Sequence, residues 1–87
     1  MRLTSQQLDH LPVYTAAQTF LGYVIGFELD VEQQTIITYY VSRRRWFNAA
    51  DFLISAQQVL TMTEDKMTVV DTIVPATSPV PLLNQIG

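Results

Sequence analysis

From Leu21 to Val31 every odd position is apolar: Leu21, Tyr23, Ile25, Phe27, Leu29 and Val31. Gly22, Gly26, Glu28 and Asp30 fall between them. Side chains of a strand alternate between two faces, so this period of two predicts one long strand over Phe20 to Val31 with a single buried face. Two glycines inside it predict a bulge or sharp bend. Glu32-Gln33-Gln34-Thr35 is a turn, and a second β-prone run, Ile36 to Arg44, follows at once, with Ile37, Tyr39 and Val41 inward. Strands joined so tightly are antiparallel, because a parallel return needs a crossover of about a dozen residues or more.

The remaining segments are shorter. Thr4 has N-cap chemistry and Gln7 lies at the capping-box spacing, with Leu3 and Leu8 at the two staple positions, so residues 3–11 begin with a capped helical turn. Pro12 ends it. Val13-Tyr14-Thr15 is a short strand, Ala16 to Thr19 a polar break, and Arg45 to Asp51 a loop. Phe52-Leu53-Ile54 is a strand, Ser55 to Gln58 one helical turn, and Val59 to Thr63 with Met67 to Val70 a hairpin around Glu64-Asp65-Lys66. Met62 and Met67 read as core filler. Thr72-Ile73-Val74 is expected as a last edge strand. Residues 1–75 then form one domain and residues 76–87 a tail or linker whose prolines (75, 79, 81) oppose sheet pairing. The sum is a mostly all-β chain: a small barrel of about six mostly antiparallel strands with a short N-terminal helical turn.

Length and composition narrow the classes. The 87 residues leave room for one small domain and exclude dinucleotide-binding folds and TIM barrels. Hydrophobic content of 48% with 15% charge is not the composition of a disordered chain. Without cysteine there is no disulfide, thiolate catalysis or common structural zinc site, which favours a cytoplasmic home. No secretory leader or span of about 20 apolar residues is visible. A net charge of −3 disfavours general affinity for nucleic acid or anionic lipid.

Leu11-Pro12-Val13-Tyr14-Thr15, Leu21-Gly22-Tyr23-Val24 and Phe27-Glu28-Leu29-Asp30 together resemble the PRC-barrel family. Its pattern is a short first strand, an LGxV segment and a second strand ending in aspartate. Phe52-Leu53-Ile54, Val59-Leu60 and Met67-Thr68-Val69-Val70 are similar to its closing strands, so the resemblance covers roughly residues 11–74. Where the family often has glycine before LGxV, this chain has Gln18. The family includes the cytoplasmic domain of the photosynthetic reaction-centre H subunit and the C-terminal domain of the ribosome maturation factor RimM. What the resemblance implies is a β-barrel that binds other proteins, its own copy included, or a membrane-associated partner, with no catalytic residues or cofactor to carry over.

Leu21, Phe27, Leu29, Ile37, Val41, Leu53 and Val69 are the expected core, with Phe27 central enough that its truncation would cost about 3–5 kcal/mol. Strict alternation also places Tyr23 and Ile25 inside, whereas the family pattern places Val24 there. Both hold for Leu21 and Phe27 only if an extra residue bulges near Gly26.

Arg43-Arg44-Arg45-Trp46-Phe47, close after Tyr40, holds three of the five basic residues. Arginine and tryptophan anchor protein interfaces, so Tyr40, Arg43, Arg44, Arg45, Trp46 and Phe47 are the candidate partner-binding residues. The alternatives are a solvated strand end with Trp46 over the barrel mouth, or an RNA- or ribosome-associated surface, since the same residues grip phosphate and stack on bases. Glu28, Asp30 and Glu32 share a strand face that reads as solvated rather than as a calcium or acid–base site. His10 is the sole histidine and reads as local structure, the serines lack a base, and phosphate-binding and zinc motifs are absent. No catalytic or metal residues are assigned, and the chain reads as a non-enzyme.

Overall fold

The computed structural model describes residues 2–44, 49–73 and 80–81. Helix α1 (Ser5–Leu8) is capped as its sequence predicts. The Gln7 amide donates to the Thr4 hydroxyl at 3.1 Å, and the Thr4 amide donates to the Gln7 side chain at 2.9 Å. Leu8 is buried and Leu3 packs beside it. Strands β1 (Pro12–Thr15), β2 (Phe20–Asp30), β3 (Thr35–Ser42), β4 (Ala49–Ala50), β5 (Phe52–Ser55), β6 (Val59–Met62), β7 (Met67–Val69) and β8 (Val80–Pro81) follow. Among the described residues the fold is all-β, with one short α-helix.

Six strands form one sheet in the order β5-β3-β2-β1-β7-β6, antiparallel except where β1 meets β7. The hydrogen-bonded order starts at β5 and stops at β6. The chain itself passes from one to the other through a single 3-10 turn, Ala56–Gln58. That turn carries a second capping box, Ser55 with Gln58. Gln7 and Gln58, each the second glutamine of a pair, thus do the same job, filling a donor that a helix start would leave orphaned.

The core lies where β1, β2, β3, β5 and β7 converge: Val13, Val24, Val41, Ile54, Met67 and Val69 are at most 1% exposed, with Phe52, Leu11 and Leu8 around them. Val41, Val69 and Met67 fall where the sequence places them. The bulge is present: β2 pairs Val24 with Val41 and Gly26 with Tyr40, leaving Ile25 as the extra residue. Val24 is therefore inward and Ile25 is not. A second irregularity makes Leu21 the extra residue against β1, and Leu21 packs only partly on the core. Gly22 between them has φ +151, and a Cβ there would stand 2.3 Å from the Ser42 carbonyl oxygen.

Four expected core residues are not in the core. Phe27 is 44% exposed, Leu29 46%, Ile37 42% and Leu53 42%. Past the bulge, Phe27 and Leu29 do share a face with Tyr39 and Ile36, but the neighbouring strands have ended there. Strand β1 pairs only as far as Tyr23, and β5 covers only Thr38 to Val41. Ile37 is displaced by another register shift between Glu28 and Leu29, and Leu53 lies with Tyr40 on the face opposite Ile54.

Two further corrections concern the chain's end. Asp71 and Thr72 form a turn and Ile73 lies outside the ladder, so the strand expected over residues 72–74 is absent at its described positions. Ala49 and Ala50, expected in a loop, pair with Pro81 and Val80. Proline lacks a donor but keeps its carbonyl, and this separate two-stranded ladder of two residue pairs asks for little more.

Candidate functional site

The expected partner surface is divided by the structure. Tyr40, expected to present its ring, is 4% exposed and packs as an interior residue. Burial first, and then the Glu28 carboxylate on the same sheet face, push its hydroxyl above the usual tyrosine pKa. Arg43 and Arg44 are exposed at the end of β3. The Arg43 guanidinium stands 5.3 Å from the Phe52 ring centroid, and its amide donates to the Asp51 carboxylate at 2.8 Å. The Ser42 hydroxyl accepts from the Arg44 amide at 3.1 Å and donates to the Arg44 carbonyl at 2.9 Å, which fixes the turn into the arginines. Arg45, Trp46 and Phe47 lie outside the described residues.

A different surface emerges from β2 and β3. Beyond Val24 the two strands continue as a ribbon with apolar side chains in the open: Phe27, Leu29, Ile37 and, at 79% exposure, Val31. Glu28 and Asp30 alternate with them and Glu32 follows. The Asp30 carboxylate accepts from the amides of Glu32 and Gln33 at 3.0 and 3.2 Å, so it builds the turn. Gln34 completes that turn in the left-handed region at φ 57.

Along one side of this ribbon runs a groove of about 340 Å³ between α1 and β2. Leu8, Val24, Ile25 and Phe27 form its apolar lining, and Ser5, Gln6 and Asp9 its polar rim. Its inner end is closed by backbone bonds, the Val24 amide donating to the Leu11 carbonyl and the His10 amide to the Val24 carbonyl. His10 sits at φ 63 with its Nδ1 3.1 Å from the Asp9 carboxylate, the local role its sequence suggests. Sequence reasoning missed groove and ribbon alike. Their signal, apolar residues alternating with acids, is also the signal of a half-buried strand.

A smaller aromatic group lies on the outer side of β1 and β2. Phe20 packs at 5.4 Å from Tyr14 and 5.3 Å from Tyr23, with the Lys66 ammonium 5.6 Å over Tyr14. The rings are tilted or edge-on to one another, which makes a packed cluster rather than a flat stacking platform. Among the described residues no three of His, Asp or Glu converge as a metal site requires, and no helix is long and apolar enough to cross a membrane. No protein-family model matches this chain, and no curated protein matches it.

Proposed function

We propose that this chain is a non-catalytic protein-interaction module, an adaptor of the PRC-barrel type. One observation carries the reading: a ribbon that extends past its own core with Phe27, Leu29, Val31 and Ile37 exposed. A small domain gains nothing for its own stability from apolar side chains held in water, and exposed apolar residues such as Phe27 and Leu29, on one face of the ribbon, mark an interaction site. Burying one such side chain fully is worth about 1.5–3 kcal/mol, so four that are partly exposed supply roughly 4–6 kcal/mol to an interface. Association itself costs about 4–15 kcal/mol, which makes this surface the anchor of an interface rather than the whole of it.

The test is affinity capture from the native host with the wild-type chain and with a Phe27→Ser, Leu29→Ser double variant. The expected result is a protein recovered by the first and lost by the second, both folded by circular dichroism. Recovery of RNA instead, falling steeply with salt and abolished by Arg43→Ala with Arg44→Ala, would replace this reading with an RNA-associated one.

A further inference from the structure

The free edge of β2 shows how a partner would add to that anchor. Residues 12–14 of β1 cover β2 from Phe20 to Tyr23, and the Leu11 and His10 backbone covers Val24. Beyond the bulged Ile25, β2 from Gly26 to Asp30 is paired on one side only, with β3, and no described backbone group pairs with the other side of residues 25–30. Six residues at about 3.3 Å each make an open edge of about 20 Å. Sheets manage such edges with charge, bulges or cover, because an unpaired row of amides and carbonyls is a template for another strand. The corresponding edge of β3 is shorter, Thr35 to Ile37, and is interrupted by the displaced Ile37.

Three features beside the β2 edge specify its occupant. The groove between α1 and β2 begins where the β1 ladder stops, and Leu8 with Val24, Ile25 and Phe27 gives it an apolar lining beside the edge. Asp9 stands at its rim and is exposed; Glu28 and Glu32 line the ribbon. None of the five basic residues falls within residues 9–35, so with His10 neutral the formal charges of this stretch are those of Asp9, Glu28, Asp30 and Glu32.

We infer that the β2 edge from Ile25 to Asp30 captures an extended peptide segment in which lysine or arginine alternates with apolar residues, added to the sheet as a seventh strand. This rests on the protein-interaction reading and names its partner chemistry. Backbone pairing supplies the affinity that the side chains alone do not, the groove takes one apolar side chain, and the carboxylates select basic neighbours.

The probe is a short peptide alternating lysine with valine around a central phenylalanine, titrated into the full chain and followed by amide chemical shifts. The expected result is saturable binding with the largest shifts at residues 25–30. A peptide with glutamate in place of lysine should bind at least tenfold more weakly, as should the lysine peptide to Glu28→Lys with Glu32→Lys. Methylating alternate amides of the peptide should abolish binding for one of the two alternate sets and spare it for the other, since an added strand bonds with only one. Absence of binding at millimolar peptide, or binding indifferent to both methylated sets, would overturn the inference. So would a chain that dimerises in light scattering and protects residues 25–30 from exchange without peptide, because the occupant would then be a second copy. If Phe27 and Leu29 still govern capture of a partner while this peptide fails, the interaction reading stands and strand addition falls.

Discussion

The β2–β3 hairpin is two different objects joined end to end. In its proximal half Val24 faces Val41, both at most 1% exposed, with β1 on one flank and β5 on the other. In its distal half Phe27 faces Tyr39 and Leu29 faces Ile36, on the same side of the sheet, yet Phe27 and Leu29 are nearly half exposed. Amino-acid type does not separate the halves. What separates them is whether a neighbour remains to cover the face, so burial here follows the lengths of β1 and β5 rather than the hydrophobicity of β2.

The strongest way to break the comparison is through the proximal half. Gly22→Ala forces a Cβ to within 2.3 Å of a backbone carbonyl at a φ that only glycine adopts freely. Strain and backbone clash each cost about 1–3 kcal/mol, so a loss of about 4 kcal/mol is expected, close to the whole stability of a small domain. Ile54→Ala, at a fully buried site, should cost about 3 kcal/mol. Phe27→Ala in the distal half should cost only about 1 kcal/mol, because much of the ring is already in water. Denaturant melts of the three variants check the order. A Phe27→Ala loss as large as that of Ile54→Ala would erase the distinction between the halves.

That contrast also explains what was legible in the sequence. Local chemistry was readable: Thr4 with Gln7 at a helix start, the Glu64-Asp65-Lys66 turn, where the Thr63 hydroxyl accepts from the Asp65 and Lys66 amides at 3.1 Å, and the bulge beside Gly26. Coverage was not, because where β1 stops pairing is a property of another segment. Phe27 and Leu29 were misplaced for that reason, Ile37 by the register shift between Glu28 and Leu29, and Leu53 because it falls on the face opposite Ile54. Tyr40 was misplaced in the other direction: it is 4% exposed although Leu53, its partner on the same face, is 42% exposed. The candidate site was half visible, its acids and apolar residues plain in the alternation and its openness hidden.

A smaller effect sharpens the picture at the turn that leads into β2. Gln18 has φ 75, the left-handed region, at the position where the resembling family often carries glycine. A non-glycine residue there costs about 1–2 kcal/mol, and glycine gives back about 0.5–1 kcal/mol through unfolded-chain entropy. Gln18→Gly should therefore stabilise the chain by about 0.5 kcal/mol while leaving the Gln18 amide bond to the Thr15 carbonyl intact. A lowered melting temperature would mean that the glutamine side chain contributes more than the strain removes.

The two halves are not electrically independent, and the smallest expected effect tests that. Burial raises the pKa of both Tyr39 and Tyr40, and for Tyr40 the Glu28 carboxylate of the distal half adds to it. A tyrosine whose folded pKa lies above its unfolded value holds its proton longer in the folded chain. Its contribution is fully present below about pH 10, the unfolded pKa, and is lost as pH rises through the folded one, so the domain should weaken in alkali. Glu28→Gln removes the lesser of the two causes at Tyr40 and leaves Tyr39 with burial alone. Phenolate absorbance should then show one buried tyrosine ionising at lower pH than in the wild type, with the alkaline decline in stability correspondingly gentler. An unmoved titration would mean that Glu28 turns its charge to solvent and that the distal ribbon communicates with the core through the backbone alone.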